Sequence, residues 1–405
     1  MFGRRGFIAA SLISVGAFRE HVLLAQEAPV TKRKSLKPVG PTPPTPKALE
    51  ADDRINRLLA QVRDQHDLPG MVGALVKGDA LSAIGVAGVR KLGSETPFRV
   101  TDRVHLGSNT KAMTATLLGT IVEEGKLNWG ATIREIFPER AKSLHPDFQA
   151  VTLSQLLTHR AGLPHDGPWW TLGRGKSTTE QRKVLLSGLM KSAPESKSGT
   201  KYDYSNVGFA IAGLMGEQVT GKSWESLMRE RLFQPLEMAT AGFGIPGKPG
   251  SLVEPWGHRE IAGRFEAVQE DNAPAMGPAG TVHVSMPDWA KFAALHLQAA
   301  RGKPQLLKAE TFRTLHTPVP GEDYAGGWNV GSRSWAGGTT LNHAGSNTNW
   351  YAVIWIAPAH DLALLVATNQ GGDRAATACE EATRGLIELA GGSGTSRPHR
   401  RNGGE

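Results

Sequence analysis

Two apolar runs near the C-terminus, Trp350 to Ile356 and Leu362 to Val366, constrain the fold more than any other feature. The connection through Pro358 to Asp361 is too short for a parallel crossover, so the two strands must run antiparallel. Both runs are apolar at consecutive rather than alternate positions, which predicts a sheet covered on both faces. The other end of the chain has the same character. Met71 to Lys77 and Ala80 to Val89 are rich in Val, Ile, Leu and small residues, and Gly78-Asp79 between them suits a tight hairpin. Ile55, Leu58, Leu59 and Val62 recur at helical spacing before Pro69-Gly70.

Further strands are expected near 326 to 331 and 339 to 344, and a last helix from about Arg374 to Leu389. Between the two ends, amphipathic stretches near 110 to 124, 179 to 192, 205 to 219 and 223 to 233 alternate with loops rich in Gly and Pro. Another helix is expected over Pro287 to Arg301. The expected class is α/β in the α+β sense, an antiparallel sheet flanked by helices with an inserted all-helical domain. Residues 49–105 and 285–390 supply the sheet part and 106–284 the mainly helical part of one domain over 49–390.

The formal net charge of +8 raises the question of nucleic acid, and its placement answers it. Residues 1–48 carry +6 and residues 391–405 carry +2, so the middle of the chain has no net charge. No nucleic-acid partner is expected. The start, Gly3-Arg4-Arg5-Gly6-Phe7-Ile8 with a weakly apolar run to Phe18, has the pattern of a twin-arginine export signal, assigned to 1–28. That run is shorter than the ~20 residues a bilayer span needs, so a periplasmic or extracellular protein with no stable membrane span after export is expected. Residues 29–48 read as a Pro/Lys-rich linker and 391–405 as a disordered tail. Cys379 is the sole cysteine, which excludes an intramolecular disulfide and suits a small buried apolar role.

Three short motifs carry the chemistry. Ser108-Asn109-Thr110-Lys111 opens a helix, and residues three apart share a helix face, so Lys111 can reach back to the Ser108 hydroxyl. A serine hydroxyl needs a base, and a lysine serves once burial lowers its pKa. Tyr204-Ser205-Asn206 offers a phenol that can relay a proton and an amide that can hold both the lysine and a substrate carbonyl. His343-Ala344-Gly345 ends a strand where a substrate backbone could lie. The amide of Ser346 could join that of Ser108 in binding an oxyanion, with His343 tuning the site.

In this order the motifs resemble the serine β-lactamase and penicillin-binding protein superfamily, in the branch that holds class C β-lactamases, D-peptidases and family VIII carboxylesterases. Leu156 to Leu163, Tyr202 to Gly213, and Pro278 to Thr281 leading into Pro287-Asp288 share the likeness, which spans about residues 50–390. It implies a β-lactamase/transpeptidase-like fold and a covalent acyl-enzyme on Ser108. Lys111 and Tyr204 would share the proton transfers, Asn206 would position lysine and substrate, and no cofactor or metal would take part. The departure is His343, where β-lactamases place a lysine for the substrate carboxylate. A mostly neutral histidine puts an ester or amide, cleaved by a carboxylesterase or D-peptidase-like activity, on equal footing with a β-lactam.

Other strings are weaker. Glu124 to Asn128 imitates a class A β-lactamase motif but ends the nucleophile helix. Gly242 to Gly247 has the letters of a nucleotide-binding loop without its strand-to-helix setting. His159 and His165 lack companions at metal-ligand spacing. Trp169 and Trp170 could wall a cleft or simply pack. A non-catalytic binding or scaffold protein retaining the fold is the competing reading, and the sequence sets no oligomeric state.

Overall fold

A computed structural model describes residues 49–391 except 174 and 190–192. The expected export signal, linker and, apart from Gly391, tail lie outside the described residues. Among those residues the strands are β1 (Gly70–Lys77), β2 (Ala80–Gly88), β3 (Arg103–His105), β4 (Gly242–Phe243), β5 (Gly257–Ile261) and β6 (Arg264–Val268). They continue with β7 (Val282–Ser285), β8 (Tyr324–Ala325), β9 (Trp328–Arg333), β10 (Gly338–Ser346), β11 (Tyr351–Ala357) and β12 (Leu362–Thr368). The longer helices are α1 (Asp53–Gln65), α2 (Thr110–Glu123), α3 (Thr178–Leu189), α4 (Asn206–Thr220), α5 (Met286–Ala300), α6 (Ala309–His316) and α7 (Asp373–Leu389).

The principal sheet has the order β2-β1-β12-β11-β10-β9-β8, with every neighbouring pair antiparallel. Strand β1 joins the two ends of the chain, pairing Met71 with Thr368 and Leu75 with Leu364. Its consecutive apolar residues face opposite ways, as the pleat requires. Met71 and Leu75, with Leu364 and Val366, pack on Ile55, Leu59 and Val62 of α1 and on Ala378, Ala382 and Leu386 of α7. Val72, Ala74 and Val76, with Ile354 and Leu365, face the larger core containing Trp289, Phe292 and Ala293 of α5. The sheet is therefore covered on both sides, and each buried aliphatic chain contributes roughly 1.5–3 kcal/mol. Cys379 lies buried in the α1 and α7 layer as a free thiol.

Helix α2 is apolar or small nearly all round, so it sits inside the molecule, buried from Thr110 to Gly119. It packs against α4, which starts at a Ser205 cap accepting the Gly208 N–H at 3.0 Å and stops at Gly221 in the left-handed region. The fully buried Arg182 of α3 pairs with Glu217 and Glu225, each at 2.6 Å, and donates to the Ala275 carbonyl at 3.0 Å. It thereby ties α3 and α4 to the segment leading into residues 277–280.

Residues 106–284 also contain strands that periodicity does not indicate. The β5–β6 hairpin stands by itself, and β7 pairs with both β3 and β4. Strands of two to five residues are too short to show alternation. Helix α6 and strand β8 are likewise unanticipated. Glu124 caps the C-terminal end of α2 and pairs with Arg231. Gly242–Phe243 forms the short strand β4, and no helix follows it directly. No helix among the described residues is long and apolar enough to cross a membrane.

Candidate active site

Ser108 occupies a single turn, Gly107–Asn109, between β3 and α2. The turn is held from two sides. Asn109 Nδ2 donates to the carbonyls of Leu106 at 2.8 Å and Ala352 at 3.0 Å, which pins it to β11. Opposite it lies the end of β10. A Cβ on Gly107, whose φ is +51°, would stand 2.3 Å from Ser346 N, and one on Gly345 would stand 2.5 Å from Ser108 N. Only glycine permits this approach. It brings the backbone of Ser346 beside that of Ser108.

Lys111 follows one helical turn after Ser108 and is fully buried. Its Nζ lies 3.1 Å from Ser108 Oγ, 2.7 Å from Asn206 Oδ1 and 2.9 Å from the Ala279 carbonyl. Burial pushes its pKa well below the usual lysine value, and the Asp166 charge opposes that shift in part. Asn206, the first residue of α4, accepts from Lys111 and donates through Nδ2 to Asp166 Oδ1 at 2.9 Å. Two residues earlier, the Tyr204 ring centroid is 4.8 Å from Lys111 Nζ. Burial raises the Tyr204 phenol pKa, against the opposing effect of Ser108.

His343 is buried, and its Nδ1 lies 2.6 Å from the Ala344 carbonyl. A carbonyl can only accept, so Nδ1 carries the ring proton and Nε2 accepts from the Tyr324 hydroxyl at 3.1 Å. Burial and the neighbouring Lys111 push the His343 pKa down to about 3, which makes the ring neutral.

Ser108, Lys111, Tyr204 and Asn206 thus converge, and Gly345 and Ser346 close against the serine turn. The sequence matches the Beta-lactamase family over residues 55–385. The chain belongs to that family. Penicillin-binding protein 4 of Amycolatopsis lactamdurans is 25% identical over 76% of this chain and 83% of its own length. Unguisins hydrolase ungD' of Aspergillus campestris is 25% identical over 78% of this chain, which spans only 61% of that relative. The octameric penicillin-binding protein homologue from Pyrococcus abyssi shares the fold, with a TM-score of 0.69 and 21% identity over 84% of this chain and 78% of its own. The resemblance to the serine β-lactamase and penicillin-binding protein superfamily is borne out.

Around this β-lactamase-family site stand Asp166, which the sequence did not single out, and His159, His165 and Trp169, which it offered only as a weak metal pair or a cleft wall. Asp166 is the carboxylate at the end of the Lys111–Asn206 chain, and it also accepts from Trp169 Nε1 at 3.0 Å and pairs with His165 at 2.8 Å. Burial raises its pKa, but the hydrogen bonds from Asn206, Trp169 and His165 outweigh that and hold it below the ordinary value. Asp166 and Asn206 are 40 positions apart, and no local pattern links them. The neighbouring Trp170 is exposed. His159 has a left-handed backbone and accepts the Ser205 N–H on Nδ1 at 3.0 Å. Its ring is enclosed by Tyr202, Tyr204, Phe209 and Tyr324. It braces Tyr204, while His165 faces outward on Asp166.

Proposed function

We propose that the protein is a serine hydrolase that cleaves an ester or amide through a covalent acyl-enzyme on Ser108. The observation that carries the reading is the set of partners around Lys111 Nζ. A neutral amine has two protons and one lone pair. With the protons donated to Asn206 Oδ1 and the Ala279 carbonyl, the lone pair is left for the Ser108 hydroxyl. Burial, which favours the neutral amine, supports Lys111 as the base.

In the proposed sequence, Ser108 Oγ attacks the substrate carbonyl as its proton passes to Lys111. The oxyanion is bound by the amides of Ser108 and Ser346. Tyr204, kept protonated by burial, gives its proton to the leaving group and is reprotonated from Lys111. Water then attacks the acyl carbonyl with the same groups acting in reverse, releasing the acid and restoring Ser108.

His343 bears on the substrate. A neutral ring supplies no charge for a substrate carboxylate, so an ester or small amide is at least as good a substrate for the site as a β-lactam. The unguisins hydrolase among the relatives agrees with a hydrolytic activity. Export by the twin-arginine route remains part of this proposal.

Ser108→Ala decides the matter. Turnover of p-nitrophenyl esters, D-amino-acid amides and nitrocefin should fall by a factor on the order of 10⁴ or more. A fluorophosphonate should label Ser108 by mass spectrometry. Unchanged turnover in the variant would sink the proposal, and folded protein inert to every acylating probe would favour a binding or scaffold role.

A further inference from the structure

Behind the serine turn lies a second chain of polar contacts that the chemistry above does not use. The Gly107 N–H donates to His105 Nδ1 at 3.1 Å, so that nitrogen carries no proton and Nε2 carries the ring proton. Nε2 stands 2.8 Å from Asp271 Oδ1, at contact distance though the N–H is not aligned on that oxygen. The same oxygen accepts from Asn347 Nδ2 at 2.8 Å. Asn347 Oδ1 in turn accepts the Asn349 N–H at 3.2 Å. His105 and Asn347 are both buried, and the Asp271 side chain is 9% exposed.

The ends of this chain matter. It begins at the Gly107 amide, one residue before Ser108, and at its other side runs through Asn347, one residue after Ser346, to the Asn349 amide. The backbones it flanks already touch where Gly345 meets Ser108. His105 has no free ring nitrogen for the Ser108 hydroxyl, so it cannot serve as a second base. Asp271 keeps its other oxygen buried without a partner among the described residues. That arrangement costs free energy, which the contacts it makes must offset.

We infer that His105, Asp271 and Asn347 form a buried brace that fixes the spacing of the Ser108 and Ser346 amides. They are positioning residues for the oxyanion. The catalytic half of this inference rests on the acyl-enzyme reading, but the brace itself does not. Asn272 extends it to the other side of the site by donating to the Gly280 carbonyl at 2.7 Å, next to the Ala279 carbonyl that receives Lys111.

The test combines hydrogen exchange with kinetics on the full chain. In Asp271→Ala, which removes the oxygen that Asn347 and His105 meet, exchange should rise in both segments, residues 105–110 and 345–350. The kcat for p-nitrophenyl butyrate should fall roughly ten- to a hundredfold with KM within about twofold, the size expected for a small misplacement of catalytic groups. Asn347→Ala should behave alike. His105→Asn, whose side-chain oxygen can still accept the Gly107 N–H, should retain more kcat than His105→Phe. Unchanged exchange in both segments overturns the brace. A fall in kcat matched by a fall in the fluorophosphonate-titratable fraction marks unfolding and overturns the positioning role. A wild type that fluorophosphonate never labels overturns the acyl-enzyme reading instead, and exchange alone then decides the brace.

Discussion

A side chain on Gly345 would place its first carbon 2.5 Å from the backbone nitrogen of Ser108 and 2.1 Å from the Leu106 carbonyl oxygen. Backbone meets backbone there, so neither neighbour can swing aside as a flexible side chain would. Gly345→Ala should force β10 away from the serine turn. The expected result is a loss of about 10²-fold in kcat, with a stability cost of about 1–3 kcal/mol. Ester turnover and a guanidinium unfolding curve check both, and full activity would show that the two amides need not be adjacent.

The Asp166 carboxylate supports the protonated form of Lys111, to which it is joined through Asn206. A lysine base works above its pKa and fails below it, so its protonation sets the acid limb of kcat/KM. Asp166→Asn removes the supporting charge and should move that limb to lower pH. A pH–rate profile of the variant against the wild type is the measurement, and a shift toward higher pH would contradict Lys111 as the base.

His343 is neutral, so its charge should have no part in turnover. His343→Gln replaces one neutral hydrogen-bonding group by another and should keep ester hydrolysis within about tenfold, judged against the 10²–10⁴ that general acid–base groups contribute. A loss beyond that range in steady-state assays would assign the ring a proton-transfer role.

Acid should unfold the protein for an identifiable reason. Burial pushes His258, His283 and His316 down to about 4 and His343 to about 3, and it lowers His159 and His296 as well. The unfolded chain binds protons to these rings near pH 6.5 and the folded chain does not. Stability is therefore complete above about pH 6.5 and is lost as pH falls through 6.5 toward 4 and below. Each ring contributes at most about 1.4 kcal/mol per pH unit in that window. Guanidinium midpoints at pH 7 and pH 5 should differ clearly, and equal midpoints would show that the rings take up protons as readily in the folded chain as in the unfolded one.

The sequence by itself determined the parts whose physics is local. Leu362 to Val366, apolar at every position, required a sheet covered on both faces, and Gly78-Asp79 required the first hairpin. The three-residue spacing of Ser108 and Lys111 placed both on one helix face. Tertiary structure decided what depends on contacts across long separations. Asp166 meets Asn206 across 40 residues, and Asn347 meets Asp271 across 76. Neither pair leaves a period or a motif, because a hydrogen bond between distant segments constrains two side chains and nothing around them. Burial is likewise a property of the assembled fold. It lowers the Lys111 pKa and keeps His343 neutral by removing water from both, and no stretch of sequence specifies how much water a residue will lose.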